Sequence, residues 1–288
     1  MLDNAASLVL GSLIGDALAL GAHWVYDQTK IKNTLGRVTG YVAPGLAFYH
    51  KGKAAGDVTH YGDQVLVLLE SVSARSDFDL EDFFGRWRVL FADYPGYMDG
   101  ATRDTLKNIA AGKGAGGAGS DSTDLAGASR IAPVVWAMTR QGRDVEALVA
   151  AARAQTAMTH GPLVVDAAEC LARAAWDVLA GTPPLGALRA AATRNYAAAP
   201  MAKWLAAGLD TVAMDTSAAI LQLNPSCDIE GAFPGLVHLV AKYQDDFQNG
   251  LVENVMAGGD SAARGLALGM ALGGHVGVAG MPQAWISD

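Results

Sequence analysis

The sequence has few of the residues that mark several common protein classes. Only two cysteines, Cys170 and Cys227, occur among 288 residues, and their spacing neither suggests a metal site nor demands a disulfide. Aromatic residues make up 7% of the chain, and the alternating β-branched and aromatic runs that mark strands are scarce. Hydrophobic residues, by contrast, make up 51%, and glycine occurs 34 times. This composition predicts an all-α protein whose helices pack tightly through small side chains.

Positive charge is also scarce. The chain has 21 Lys and Arg against 29 Asp and Glu, which gives a net charge of -8. An acidic chain with scattered basic residues is a poor partner for nucleic acid or an anionic membrane. A small anionic ligand remains compatible with this charge, because helix N-termini bind phosphate without basic side chains. We therefore expect neither a nucleic-acid nor a membrane partner.

Segments that direct a chain to a membrane or out of the cell are missing. The start, MLDNAASLVLGSLIGD, has no basic region and reaches Asp16 early, unlike a signal peptide. The longest apolar stretch, from Gly265 to Pro282, is about a third glycine and contains His275, which favours a buried helix. These features predict a cytoplasmic protein. Because no linker separates two halves, we predict a single domain over residues 1–288 with about ten helices.

Two of the predicted helices are unusually rich in glycine. Residues 3–22 carry Gly11 and Gly15, and residues 260–274 carry Gly265, Gly269 and Gly273. Each glycine inside a helix costs about 1 kcal/mol relative to alanine. Close contact between helix backbones would offset that cost. We therefore predict that both helices are central and pack on each other.

Further helices and loops follow from periodicity and from turn residues. We predict long loops at 27–58 and 110–129, the second being the most flexible segment because of its glycine content. Its GKGAGGAG run is not a P-loop, because Gly follows Lys113 where Ser or Thr is required. Asp144, Asp228 and Asp260 stand where helix N-terminal residues are expected. The other predicted helices are 65–74, 80–94, 130–140, 144–158, 163–180, 184–197, 201–222 and 229–246.

Three polar segments could carry chemistry, and each has a structural alternative. His60, Tyr61 and Asp63 precede a buried helix, where they line a pocket or cap the helix. His160 precedes a helix that starts with proline, where it contacts a ligand or serves as a cap. Arg130 lies beside an apolar helix, where it binds an anion or is solvated. The residues alone do not decide between these alternatives.

Four segments, in their order along the chain, resemble motifs of the ADP-ribosylglycohydrolase family. GSLIGDALALGAHWVYD (11–27) resembles its Gly-Asp-Ala-Leu-Gly opening, and GASRIAPVV (127–135) its Met-Arg-Ile/Val-Ala-Pro segment. MTHG (158–161) resembles its Thr-His turn, and GGDSAARGLALGMALGG (258–274) its terminal Gly-Gly-Asp-Thr-Asp-Thr segment. The resemblance implies a compact all-α domain with a cleft for ADP-ribose and usually two divalent ions. It also implies hydrolysis at the anomeric carbon of the ribose.

The motifs that bind metal in the family are incomplete here. Where the family has Thr-Asp-Asp-Thr, this chain has His60-Tyr61-Gly62-Asp63. In the terminal motif Asp260 remains, but Ala262 and Ala263 replace the second Asp and the final Thr. Mg²⁺ requires carboxylates or phosphates, so we expect no two-metal site and no cofactor. The pattern resembles the branch of the family that includes the J-type lens crystallins.

A buried arginine could replace the missing metal charge. Arg264 follows Asp260 by four residues, which places it one helical turn further along. We predict that Arg264 holds the charge relationship to Asp260 that a cation holds in the relatives, with an internal pair as one form of it, and that it does not point to solvent.

The resemblance assigns roles to ten residues. The catalytic candidates are Asp63 and Asp260 near the attacking water, Asp27 behind them, and His60 and His160 as acid or base. Arg130 and the glycine-rich loop would hold the diphosphate, and Asp124 or Ser129 would contact the ribose. Gly127 and Tyr61 complete the predicted substrate-binding set.

Three functions are compatible with these observations. The first is a hydrolase of an ADP-ribosyl or related N- or O-glycosidic bond that works without a metal pair. The second is a non-catalytic relative that binds ADP-ribose or is purely structural, like a crystallin. The third is an ordinary Mg²⁺-dependent hydrolase whose ligands align differently. The expected partner is an ADP-ribose-like small molecule or an ADP-ribosylated protein, and the sequence leaves the oligomeric state open.

Overall fold

The structure, a computed structural model, describes residues 3–287 and is built from α-helices. No β-strand occurs in that range, which contains only two isolated bridges, Val25 to Gly259 and Asp124 to Asp228. The predicted all-α class is confirmed. The helices are α1 (Asn4–Ala19), α2 (Gln28–Leu35), α3 (His60–Arg75), α4 (Leu80–Ala92), α5 (Gly100–Ala110), α6 (Ala126–Ser129), α7 (Ala132–Arg140), α8 (Val145–Ala157), α9 (Pro162–Leu179), α10 (Pro184–Ala192), α11 (Met201–Asp210), α12 (Thr216–Leu223), α13 (Ile229–Tyr243), α14 (Phe247–Met256), α15 (Ser261–Val276) and α16 (Gln283–Ser287), with 3₁₀ turns at Phe48–His50 and Val278–Gly280.

Helices α1 and α15 form the centre of the molecule and touch backbone to backbone. A Cβ atom on Gly11 would lie 2.3 Å from the carbonyl oxygen of Gly269, and one on Gly265 would lie 2.4 Å from that of Gly15. No side chain fits at these positions. The predicted packing of the two glycine-rich helices is confirmed, and the close contact explains why glycine is used despite its cost in helices.

Aspartates begin many of the helices. The Asp side chain accepts a hydrogen bond from a backbone N–H of the first turn, which satisfies donors that have no partner inside the helix. The positions predicted at Asp144, Asp228 and Asp260 are confirmed as N-caps. Other N-caps of this kind are Asp3, Asp27, Asp79, Asp99, Asp215 and Asp246. These nine aspartates therefore stabilise the N-termini of helices.

Several predicted boundaries are wrong. Residues 27–58 are not one loop, because α2 and the Phe48–His50 turn lie within them. Helix α2 buries only Ile31, so it has almost no apolar periodicity to signal it. The single helix predicted at 201–222 is two helices, and Asp215 caps the second. Helices α5, α6, α14 and α16 are additional to the prediction.

The glycine-rich segment 110–129 is partly anchored, contrary to the prediction that it is simply flexible. Ala115 and Ala118 are buried. The side-chain amide of Asn108 donates to the carbonyls of Ala118 and Gly119, at 3.1 and 3.0 Å. The segment therefore packs against the end of α5, and its last residues form α6. Among the described helices, none is both long enough and apolar enough to span a membrane.

Candidate functional site

The candidate site lies at the N-terminus of α15, where a two-glycine turn fixes Asp260. Gly258 and Gly259 have φ values of +70° and +67°, which favour glycine. Gly259 N–H donates to Val25 O at 2.9 Å and Trp24 N–H donates to Gly259 O at 2.8 Å, while Asp260 N–H donates to Pro225 O at 2.8 Å. Two distant parts of the chain, at residues 24–25 and at Pro225, thus hold this turn, and with it the Asp260 carboxylate.

Asp260 is completely buried and has several partners. Its Oδ1 accepts from Ala263 N–H at 3.1 Å and lies 3.0 Å from His23 Nε2. Burial alone would raise the pKa of Asp260, but these hydrogen bonds and the positive charge of Arg264 outweigh it, and the pKa is lowered. Asp260 is therefore a carboxylate at neutral pH, and His23 donates its Nε2–H to it.

Asp124 is a second buried carboxyl group beside the first. Tyr61 Oη donates to Asp124 Oδ2 at 2.9 Å and lies 3.5 Å from Asp260 Oδ2. An Asp124 oxygen, an Asp260 oxygen and the Cys227 sulfur all lie within 4.8 Å of one another. Burial, with the negative charges of Asp260 and Asp99, raises the pKa of Asp124 well above its usual range. The two neighbouring carboxyl groups therefore favour opposite protonation states.

Three histidines lie next to the carboxyl groups. His23 Nδ1 is 2.8 Å from His50 Nε2, and the ring of His60 lies 5.9 Å from that of His23 between centroids. Trp24 covers them and packs against Tyr49 and Tyr97 at centroid distances of 4.7 and 5.2 Å. The positive φ of Trp24, 60°, is rare for a bulky residue and is typical of functional sites.

Sequence reasoning missed Asp99, His23 and His50. Asp99 caps α5, and one of its carboxylate oxygens lies 3.3 Å from His60 Nε2. Burial would raise the pKa of Asp99, but His60 and the N–H of Thr102 lower it below its usual range. The Asp-Gly pair before α5 signals a cap, but nothing local indicates that the same carboxylate also faces His60.

Asp63 belongs to a different group of side chains. It pairs with Lys53 Nζ at 2.9 Å and accepts a hydrogen bond from the Tyr94 hydroxyl. Within residues 3–287 no hydrogen bond joins Asp63 to Asp260. Asp63 instead lines an open cleft of about 590 Å³, together with Tyr49, Tyr94 and Tyr97. The structure therefore separates the two carboxylates that the sequence reasoning placed together.

Arg130 is fully used inside the protein, which argues against its predicted role in holding a diphosphate. Its guanidinium donates to the side chains of Gln155 and Gln64, each at 2.8 Å, and to the Thr159 hydroxyl. It is buried beneath the Phe83 ring. Four of its five N–H groups donate to these residues, which leaves too few donors for the paired contacts that a diphosphate requires.

Ser129 and Gly127, the neighbours of Arg130, also have structural roles. The Ser129 hydroxyl donates to Leu125 O at 3.1 Å, and Gly127 O accepts from the Gln155 side chain at 2.9 Å. A Cβ on Gly127 would lie 2.5 Å from the His160 ring. Ser129 is therefore not available for the predicted ribose contact, and Gly127 makes room for the His160 ring.

His160 and Asp27 differ in their relation to the site. His160 Nδ1 lies 2.8 Å from Thr159 Oγ1, while its buried Nε2 has no hydrogen-bond partner among the described residues. Burial, reinforced by the positive charge of Arg130, lowers the pKa of His160 to about 3. Asp27 is exposed and caps α2 by accepting from Lys30 N–H at 3.0 Å. Asp27 therefore does not stand behind the other carboxylates as expected.

Arg264 is buried, as expected, but it does not pair directly with Asp260. It donates to Gly258 O at 2.5 Å, to Asn254 Oδ1 at 3.2 Å and to Pro225 O at 3.4 Å. No ion pair joins it to Asp260 within the described range, so the charge relationship does not take the form of a direct pair. Its positive charge nevertheless helps to lower the pKa of Asp260.

Comparison with known proteins gives the family. None of the curated proteins matches the chain by sequence. A solved structure described as an "ADP-ribosylglycohydrolase-related protein complex" is similar with a TM-score of 0.73 and 23% identity, over 99% of this chain and 91% of that chain. At that identity the likeness shows the fold alone. The sequence model of the ADP-ribosylglycohydrolase family matches residues 1–288, and the chain therefore belongs to the ADP-ribosylglycohydrolase family.

Proposed function

We propose that the chain hydrolyses an ADP-ribosyl or related N- or O-glycosidic bond with the carboxyl pair Asp124 and Asp260. The observation that carries this proposal is the opposite protonation preference of two neighbouring buried carboxyl groups. Burial and nearby negative charges favour the protonated form of Asp124, while hydrogen bonds favour the ionised form of Asp260. Such a pair supplies an acid and a base at the same pH, which is what glycosidic hydrolysis requires.

The chemistry assigns one role to each group. Asp124 donates its proton to the leaving nitrogen or oxygen as the bond to the anomeric carbon breaks. The Asp260 carboxylate stabilises the oxocarbenium-like sugar and accepts a proton from the water that adds to it. The Tyr61 hydroxyl contacts both carboxyl groups and fixes their positions relative to each other. Asp124, which the sequence analysis assigns to a ribose contact, therefore takes the role of the acid in this proposal.

The donor set around Asp260 does not suit the Mg²⁺ pair that the family implies. Asp63, the other candidate ligand, is occupied by Lys53 and Tyr94. The groups that surround Asp260 are His23, Tyr61, Cys227 and the carboxyl group of Asp124, whose raised pKa favours the protonated form. Magnesium prefers oxygen ligands with several carboxylates or phosphates, and imidazole and thiol are poor substitutes. We therefore derive no catalytic step through Mg²⁺.

The substrate reaches the carboxyl pair through a nearby surface. Tyr26 is 49% exposed, and its pKa is raised to about 12, chiefly by burial of its hydroxyl and also by the charges of Asp260 and Asp124. Tyr26 is thus partly in solvent and close enough to the carboxyl pair to respond to its charge. The cleft bordered by Tyr49 and Tyr97 offers aromatic faces on which an adenine ring can stack. We propose an ADP-ribose-like molecule or an ADP-ribosylated protein as the partner.

Turnover in the absence of magnesium tests this proposal. ADP-ribosyl-arginine, ADP-ribosyl-serine and a nucleoside analogue would be incubated with the protein in Mg²⁺-free buffer, and released ADP-ribose would be measured. We expect turnover of at least one substrate, at a rate that added Mg²⁺ does not change. Turnover only with added Mg²⁺ would favour an ordinary two-metal hydrolase. Inertness toward all three substrates, with an intact circular dichroism spectrum, would refute the proposal.

A non-catalytic relative is the second candidate function, and burial of the carboxyl pair favours it. Asp260 is 0% exposed and Asp124 is 9% exposed, which restricts contact with a substrate. Titration calorimetry with ADP-ribose separates the outcomes for an inert protein. Binding without turnover would identify an ADP-ribose-binding protein, and absence of binding would leave a structural role of the crystallin type.

A further inference from the structure

We infer that His23, His50 and His60 form a binding site for a single transition-metal ion of the Zn²⁺ class, beside the carboxyl pair. The three imidazoles are buried, and one ligand nitrogen from each lies within 4.8 Å of the other two. Imidazole nitrogen is a favoured ligand for Zn²⁺, Cu²⁺ and Ni²⁺ and a poor one for Mg²⁺. The inference concerns ion binding and does not depend on the proposed hydrolysis.

The three rings are nearly parallel and lie at similar distances from one another. Their centroids are 5.0, 5.6 and 5.9 Å apart, and their planes differ by 16° to 26°. His23 and His50 meet edge to edge, because their facing nitrogens are only 2.8 Å apart while their centroids are 5.0 Å apart. Three imidazoles that share one ion through Zn–N bonds of about 2.0–2.1 Å would have centroids about 5.5 Å apart in a planar arrangement. The observed triangle has that size.

The protonation of His23 leaves its other nitrogen with a lone pair that can bind an ion. His23 Nε2 lies 3.0 Å from the Asp260 carboxylate, so it carries the proton and donates it. Its Nδ1 therefore has a lone pair, which accepts a hydrogen bond from His50 Nε2–H at 2.8 Å, and a bound ion would take the place of that proton. A histidine whose second nitrogen donates to a carboxylate is the usual arrangement around protein-bound zinc. Asp260 thus orients one of the three ligands.

His60 has an unmet requirement that an ion would satisfy. Its side chain is buried, and neither ring nitrogen has a well-formed hydrogen bond within residues 3–287. Leaving a buried polar nitrogen without a partner costs about 1–3 kcal/mol. Its Nε2 lies 3.3 Å from an Asp99 oxygen. Asp99 and Asp260 together would supply the negative charge that balances a divalent ion held by three neutral rings.

The backbone positions the three histidines from separate elements. His23 follows α1 and is fixed by the bond from Trp24 N–H to Gly259 O. His50 ends the Phe48–His50 turn, and His60 is the first residue of α3. A bound ion would therefore join three segments that otherwise meet through few hydrogen bonds.

Cobalt provides a direct test, because Co²⁺ bound by histidines absorbs visible light and Zn²⁺ displaces it. The full chain would be freed of metal by dialysis against a chelator, titrated with Co²⁺ and then with Zn²⁺, and its zinc content measured by elemental analysis. We expect about one ion per chain, with loss of the visible bands on addition of Zn²⁺. An absence of bands, together with less than one tenth of an ion per chain, would overturn the inference.

Two variants at position 50 and one control locate the ion. His50→Gln removes a ligand and should weaken binding at least about 100-fold, by comparison with the 10–100-fold cost of losing an outer-shell partner. His238→Gln is the matched control, since His238 is buried elsewhere, where its ring nitrogens form hydrogen bonds with Thr211 and Thr216. It should bind like the wild type. Equal affinity of the His50→Gln variant and the wild type would overturn the inference.

A cysteine at position 50 gives an answer even if the glutamine variant does not fold. His50→Cys keeps a ligand and should add an intense thiolate-to-cobalt band at higher energy. Binding without that band would place the ion elsewhere and overturn the assignment. Neither variant alters Asp124 or Asp260, so a failed metal test would leave the proposed hydrolysis standing, and inertness toward all substrates would leave the metal site standing.

Discussion

Helix α15 contains two regions that are equally buried and have opposite character. Along its length, Gly265 and Gly269 touch the α1 backbone with no side chain between them. At its N-terminus, Asp260 is surrounded by histidine, tyrosine and a second carboxyl group. The glycine contact depends on the close steric fit of two helix backbones. The group of side chains around Asp260, called the polar corner below, depends on charges that offset one another. The first tolerates no added atom, whereas the second depends on the protonation state of each of its groups.

The largest expected effect comes from variants that disrupt the polar corner. Asp124→Asn and Asp260→Asn should each lower kcat/KM for the best ADP-ribosyl substrate by about 10³-fold or more, equivalent to about 4 kcal/mol. Asp63→Asn is the matched control, because Asp63 lies outside this network, and it should cost less than about tenfold. Equal losses in all three variants would contradict the assignment of the carboxyl pair.

The pH dependence of the wild type sharpens the same point. The pKa of Asp124 is raised, so the acid keeps its proton to a higher pH than an ordinary carboxyl group and loses activity as the pH rises through that pKa. The pKa of Asp260 is lowered, so activity falls on the acid side only below the usual range of a carboxyl group. The profile of kcat/KM against pH should therefore be bell-shaped.

The next effect breaks the glycine contact. Gly269→Ala would place a Cβ 2.0 Å from the Gly11 carbonyl oxygen, so the free energy of unfolding should fall by about 3 kcal/mol or more. Gly85→Ala, within α4, meets nothing within 4 Å and should raise it by up to about 1 kcal/mol. Urea unfolding followed by circular dichroism measures both. A Gly269→Ala protein as stable as the wild type would refute the backbone contact.

Asp16 lies where the two regions meet, and its effect on stability depends on pH. It is buried beside Gly15 and accepts from the N–H and the hydroxyl of Thr59 at 2.5 and 2.7 Å. Burial is the main cause that raises its pKa from 3.8 to about 7. A raised pKa means that the folded state holds the proton more tightly, so this contribution is complete at low pH and is lost as the pH rises toward 7.

The variant Asp16→Asn isolates that contribution. Between about pH 4 and about pH 6, the wild type should lose about 2–3 kcal/mol of unfolding free energy relative to the variant. Urea unfolding of both proteins across this range gives the difference. A constant difference, or one that grows in favour of the wild type as the pH rises, would show that Asp16 is ionised in the folded protein.

The smallest effect concerns Tyr61. Tyr61→Phe removes the hydroxyl that donates to Asp124, which should lower kcat/KM about tenfold. Because that hydrogen bond lowers the pKa of Asp124, its loss should move the alkaline limb of the activity profile to higher pH. A tenfold loss with no movement of the limb would mean that Tyr61 acts only by packing.

The sequence predicts the glycine region well and the polar corner poorly, for a physical reason. Gly11, Gly15, Gly265 and Gly269 form a repeating pattern within each helix, and the cost of glycine alone demands a close neighbour. Asp144, Asp228 and Asp260 are likewise local signals, because an N-cap acts on its own first turn. These features could be predicted without knowledge of any long-range contact.

The polar corner depends on contacts between residues far apart in the chain. His23 and His50 are unremarkable in sequence, and they gain significance only because one faces the other and Asp260. Arg130 shows the converse, since its charge is visible in the sequence but its partners, Gln64 and Gln155, are not. The charge of Arg130 therefore suggests a diphosphate site when its buried partners are unknown.

The contact between α1 and α15 also has a consequence for the order of folding. Residue 11 meets residue 269, and residue 25 meets residue 259, so the loops that these contacts close contain most of the chain. Such distant contacts form slowly, because the entropy of closing a long loop is lost before the contact is made. During synthesis, Asp260 must leave the ribosome before it can meet His23. We expect the intervening helices to collapse first and the polar corner to be among the last parts of the protein to assemble.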